Sequence, residues 1–156
     1  MIEKLYKLGF DFPFKMGSTR EEIIEKIGQP DKETIADPYS KYGLVLGYNI
    51  YEELEEINAT TMEQGQTYKG VLFGVKIGES ITKCLELWGD FSYAENKRFG
   101  YITNVWNFGE INKTGTLFVS IQQWDKAGDE PGFGKYEIGQ IKSIKIQIDD
   151  ETPELV

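Results

Sequence analysis

Apolar and polar positions alternate over residues 8–16, where Phe10, Phe12, Phe14 and Met16 share one side, and again over residues 70–77, where Val71, Phe73, Val75 and Ile77 do the same. A period of two predicts half-buried strands in both places. Pro13 has no N–H to give a ladder, so the first strand belongs at an edge or is irregular there. After each stretch the period lengthens. Ile23, Ile24 and Ile27 predict an inward-facing helix over residues 20–27, and Cys84, Leu85 and Trp88 predict its counterpart over 81–88. Thr19 and Ser80 stand at the N-cap positions, Glu22 completes a capping box in the first copy only, and Gly28 and Gly89 supply the stops. The two segments are one unit written twice. Residues 9–28, GFDFPFKMGSTREEIIEKIG, align without a gap on residues 70–89, GVLFGVKIGESITKCLELWG, with six of twenty positions identical. Gly17 and Gly78 between strand and helix read as punctuation, because no Lys-Ser/Thr pair follows as a phosphate loop requires.

The rest of the pattern is mostly β. Residues 43–48, 101–108, 115–123 and 139–149 read as strands. Residues 49–58, NIYEELEEIN, fit a helix by the spacing of Ile50, Leu54 and Ile57, and a strand by analogy with 115–123; the strand is preferred. In this alignment 43–48 matches 102–108, 49–58 matches 115–123, and 139–149 echoes 70–77. Residues 31–41 and 90–100 are polar and read as loops, 59–66 as a linker, and 124–135, with three Gly and a Pro, as a surface loop. About seven strands and two short helices, joined by turns rather than crossovers, predict an α+β fold. It consists of two tandem strand-helix-strands repeats, residues 1–66 and 67–156, in one compact chain. Their mostly antiparallel sheet carries the short helices on one face and leaves the other free for solvent or a partner.

Composition narrows the chemistry. The 40% hydrophobic and 13% aromatic shares suit one good core. There is no histidine and a single cysteine, Cys84, on the inward side of the second helix. Ser-His-Asp and Cys-His catalysis, His-ligated metals and thiolate metal sites are thereby excluded, and Cys84 reads as a small buried hydrophobe. Carboxylate chemistry survives, and Asp125, Asp129 and Glu130 beside the Gly-rich loop are its candidates, although their spacing is not that of a calcium loop. No cofactor is called for. The net charge of −9, from 17 basic and 26 acidic residues, disfavours nucleic acid and anionic membranes and favours a basic protein partner. The N-terminus MIEKLYKLGF lacks the apolar core of a signal peptide, and the expected location is cytoplasmic.

Residues 16–30, MGSTREEIIEKIGQP, resemble the repeat of the β-lactamase-inhibitor-protein fold, which the small lipoproteins of outer-membrane assembly share. The second copy departs from it, with Asp90-Phe91 where Gln29-Pro30 stands in the first. The resemblance implies a tandem protein that presents a concave sheet to an enzyme. In overall profile the chain also resembles bacterial toxin immunity proteins, which are small, acidic and aromatic-rich. Together these imply a non-enzymatic inhibitor that lays an acidic, aromatic surface over a basic active site; the alternative is a carboxylate-based metal or small-ligand domain or enzyme. The partner-binding candidates are Tyr51, Glu52, Glu53, Glu55 and Glu56 in the first copy, and Trp124, Asp125, Asp129 and Glu130 in the second. Aromatics would anchor and carboxylates would steer.

Overall fold

A computed structural model describes residues 2–32, 34–62, 66–98, 100–110 and 115–150. Helix α1 (Ile2–Lys7) is followed by α2 (Arg20–Ile27) and three strands, β1 (Ala36–Tyr39), β2 (Leu44–Tyr48) and β3 (Leu54–Ala59). Helix α3 (Ile81–Trp88) then leads into β4 (Tyr93–Arg98), β5 (Tyr101–Glu110) and β6 (Gly115–Trp124), the small strands β7 (Gly128–Glu130) and β8 (Gly134–Tyr136), and β9 (Ile141–Asp150). Seven strands form one sheet in the order β1-β2-β3-β9-β6-β5-β4, and β7 and β8 form a separate hairpin. All neighbours in the large sheet run antiparallel.

The expected α+β class is therefore corrected: the structure is predominantly antiparallel β, with helices of only 6, 8 and 8 residues. Two polar stretches read as loops, 31–41 and 90–100, hold β1 and β4. Both lie at sheet edges, where one side of the ladder is unpaired and polar residues and Pro38 are tolerated. The two alternating stretches are not strands. Residues 8–16 and 70–77 meet in one isolated bridge, Phe10 with Leu72. Positive φ angles at Phe73 (52°) and Gly74 (90°) turn the chain back on itself, so that Leu72 and Val75 bond each other. The alternation there serves an aromatic cluster. Phe10 stacks on Phe73 at 5.1 Å, and Tyr6 meets both rings edge-on at 4.8 and 5.4 Å.

The helices follow their caps. Thr19 Oγ1 accepts from Glu22 N and Ser80 Oγ from Thr82 N, while Gly28 (φ 89°) and Gly89 (φ 81°) close the last turns. Ile23 and Cys84 are fully buried, but Leu85, expected to face inward, is 37% exposed.

Beyond the helices the halves correspond differently from the sequence alignment. Gly17 N donates to Leu54 O, Leu54 N to Ser18 O and Arg20 N to Glu52 O, at 2.7–2.8 Å. In the second half Gly78 N donates to Ile141 O, Ile141 N to Glu79 O and Ile81 N to Gly139 O, each at 2.8 Å. The start of β3 thus answers to the start of β9, not to β6. Across the seam Ile57 pairs with Ile146 and Ala59 with Ile144, which makes β3 and β9 exchange places under a pseudo-twofold axis between them. It follows that β2 answers to β6 and β1 to β5. Among the described residues, only the second half has an additional edge strand, β4, and a hairpin inserted before its last strand. Even the bulges match. Glu55 is squeezed between Leu54, opposite Tyr48, and Glu56, opposite Gly47. Lys142 is squeezed between Ile141, opposite Gln123, and Ser143, opposite Gln122. Each bulge lets residues three apart, Leu54 and Ile57 or Ile141 and Ile144, face the same fully buried core. The opposite sheet face is a polar lattice in which Lys145 Nζ lies 3.1 Å from Glu56 Oε1 and Ser143 Oγ donates to Gln122 Oε1.

Candidate functional site

The turn joining β2 to β3 is built around Asn49. Its Oδ1 accepts from Tyr51 N and Glu53 N at 2.9 Å each, its own N–H donates to Glu53 O, and its Nδ2 donates to Glu53 Oε1 at 3.2 Å. Asn is suited to this because its short amide imitates a backbone turn. Glu52 takes φ 58°, and its carbonyl receives Arg20 N at the start of α2. The consequence is a rigid tip on which Ile50 (89% exposed) and Tyr51 (75% exposed) project into solvent.

Arg20 holds this tip from below. Its Nε and one terminal nitrogen donate to the two oxygens of Asp37 at 2.8 and 2.7 Å, and Asp37 is buried in β1. The guanidinium also lies 5.7 Å over the Tyr48 ring and 3.9 Å from Glu52 Oε1. Glu52 is largely exposed, so water screens that last contact and it adds little stability. The Tyr48 hydroxyl is buried without a hydrogen-bond partner, and burial holds its ionisation above the usual phenol range. Tyr39 Oη donates to Gly28 O at 3.0 Å and ties β1 to the end of α2. At the matching place in the second half stand Ile81, Asn104 and Gln123. There Gln123 Nε2 donates to the buried Asn104 Oδ1 at 2.6 Å, so a neutral amide pair replaces the ion pair.

The sequence-predicted residues do not form one surface. Tyr51 and Glu52 belong to the exposed tip. Glu53 is engaged by Asn49 within the turn. Glu55 is the bulge residue, and Glu56 lies on the open sheet face against Lys145. The alternating pleat and the bulge distribute these four carboxylates, so the acidic run does not make an acidic face. Asp125, Asp129 and Glu130 sit at the far end of the sheet, since β3 and β9 are antiparallel and begin at opposite ends. Trp124 is corrected more sharply. It is buried, stacked on Tyr136 at 3.7 Å, met edge-on by Phe133 and covered by Lys142 Nζ at 5.4 Å, because the supposed surface loop folds back over it as the β7–β8 hairpin. It cannot serve as an exposed anchor in this conformation.

Three features escaped the sequence reading: the Arg20–Asp37 pair, the exposed Ile50, and Ile35, which is 99% exposed just before β1. The Asn at position 49 was the available signal for the tip; a lone Ile in a polar run gives none. The Cys84 thiol is pushed up to about 12, chiefly by burial, and is not a nucleophile near neutral pH. Among the described residues, no group of three or more His, Cys, Asp and Glu side chains is placed to hold a metal ion, and no helix is long and apolar enough to cross a membrane. No protein-family model, curated protein or solved structure matches the chain.

Proposed function

We propose that the chain is a protein-binding inhibitor of the immunity type, which works in the cytoplasm and neutralises a toxin by covering its basic active site. It acts by occlusion and catalyses nothing itself. The observation that carries this reading is the β2–β3 tip: a preformed turn that exposes an aromatic and an aliphatic side chain beside Glu52, on a chain of net charge −9. Rigid exposed aromatics are what interfaces use as anchors, because little conformational entropy is lost when they dock. The surrounding negative field supports fast encounter with a cationic cleft. The test is co-expression with the product of the adjacent gene in a sensitive host, to see whether that product is a toxin and whether the chain neutralises it. Restored growth together with a stoichiometric complex would support the reading; a toxin that kills equally well in the presence of the chain would overturn it.

A further inference from the structure

Among the described residues, the three most exposed large apolar side chains, Ile35, Ile50 and Tyr51, belong to one end of the sheet. Ala36 pairs with Gly47, so Ile35 lies beside Tyr48, from which the tip carrying Ile50 and Tyr51 continues. Single exposed apolar residues are ordinary on a protein surface; three at one end of a sheet, two of them on a turn held by Asn49 and Arg20, are not. The two halves provide an internal comparison. At the matching end of the second half, Ile102 is half-buried, β4 runs alongside β5, and the β7–β8 hairpin packs over Trp124. Among the described residues the first half has neither cover. Its outer edge is also closed to strand addition: Asp31 N donates to Pro38 O, Asp31 binds Ser40, and Pro38 has no N–H to offer. Docking there is through side chains. Glu52 and, across the Arg20 N to Glu52 O bond, Glu21 are exposed carboxylates beside the apolar tip.

We infer that this end of the sheet is a plug: Ile35, Ile50 and Tyr51 enter an apolar pocket of a partner protein whose rim carries Lys and Arg, and Glu21 and Glu52 meet that rim. The inference rests on the protein-binding reading above and names its surface and the chemistry of its occupant. It places the interface at the α2 end of the sheet, away from Asp125, Asp129 and Glu130.

The experiment needs no knowledge of the toxin. A displayed library of small folded domains, each with a randomised apolar cleft rimmed by Lys and Arg, is panned on the immobilised full chain. Enriched domains should bind Tyr51→Ala roughly 30-fold more weakly, the loss expected of an anchor residue. They should associate several-fold more slowly with the Glu21→Lys, Glu52→Lys pair and in raised salt, and bind Ile138→Ser unchanged, since Ile138 projects at the opposite end. Melting curves confirm that these surface variants fold. Failure to enrich any such domain over the Ile35→Ser, Ile50→Ser, Tyr51→Ser triple variant overturns the plug, as do enriched domains indifferent to Tyr51→Ala. The two proposals separate cleanly. Toxin neutralisation that survives Tyr51→Ala and the triple variant overturns the plug alone, whereas a plug confirmed by panning on a chain that protects no cell overturns the immunity reading alone.

Discussion

The buried ion pair under the tip can be exchanged for the solution used in the other half of the molecule. Asp37 is 1% exposed and accepts two short, charge-assisted bonds from Arg20, whose side chain is 20% exposed. R20I removes both bonds and leaves a carboxylate buried without its cation, which costs about 3–5 kcal/mol. D37N removes the charge but keeps one acceptor for the guanidinium, which can reach water with the donor it loses; that costs about 2 kcal/mol. If the effects were independent, the double variant would lose about 5–7 kcal/mol, enough to unfold many domains of this size. It should instead lose about 2–3 kcal/mol, because it recreates the Ile81 and Asn104 arrangement. The Tyr48 hydroxyl, buried and unpartnered, stands where Gln123 serves Asn104. Adding Y48Q completes the exchange and should bring the loss to about 2 kcal/mol or less.

Urea unfolding followed by tryptophan fluorescence measures this. With m of roughly 2 kcal/mol per M, R20I should lower the midpoint by roughly 2 M, and the coupling in the double-mutant cycle should be about 3–4 kcal/mol. Losses that add to within about 0.5 kcal/mol would refute the reasoning, since they would mean that Arg20 and Asp37 are solvated separately rather than as a buried pair.

Gly43 (φ 73°) should tolerate no side chain, since a methyl group there would stand 2.5 Å from Gln66 O and 2.7 Å from Thr60 O; Gly43→Ala is expected to cost more than about 2 kcal/mol in the same urea assay. Trp88 donates to Phe73 O at 2.9 Å and meets Trp106 and Phe108 edge-on, so Trp88→Ala should destabilise by about 3–4 kcal/mol despite its partial exposure, and an unchanged melting curve would refute this. The folded Cys84 thiol ionises at about 12, above its ordinary 9.0, so its stabilising contribution is complete below pH 9 and disappears as pH rises towards 12. Stability should fall by about 1.4 kcal/mol per pH unit for this group, and Cys84→Ala should flatten the pH 9–10 part of the profile.

What the sequence made legible is what is local. The caps Thr19 and Ser80, the stops Gly28 and Gly89, and the strands rich in β-branched residues all follow from short-range chemistry. The failures came from tertiary effects. Phe10, Phe12 and Phe14 alternate because loop backbone buries aromatic rings against Phe73, and alternation alone does not distinguish that from a ladder. Residues 54–57 resembled a helix because the Glu55 bulge brings Leu54 and Ile57 onto one face, giving a spacing of three within a strand. The strands β1 and β4 have the composition of loops, and their pairing depends on β2 and β5 being there to accept them. Of the candidate site, Tyr51 and Glu52 were legible as an acidic aromatic run. The hiding of Trp124 depends on a hairpin that packs back over it, and Ile35 acquires meaning only beside Tyr48.

The pseudo-twofold axis also explains why the halves can diverge at their outer ends without losing the fold. The seam between β3 and β9 buries Ile57, Ala59, Ile144 and Ile146 completely, and the helix-start bonds to Leu54 and Ile141 pin both ends of it. Each of the three buried isoleucines contributes about 1.5–3 kcal/mol, and each strand of the seam has a hydrogen-bonded neighbour in the other half. Neither half therefore completes its core alone. The distal ends lie outside that constraint. One has gained β4 and a hairpin that close it over Trp124; the other keeps Ile35, Ile50 and Tyr51 uncovered beside Glu21 and Glu52. The buried Arg20–Asp37 pair stands under the end that exposes Ile35, Ile50 and Tyr51, whereas a neutral amide pair suffices at the end closed over Trp124.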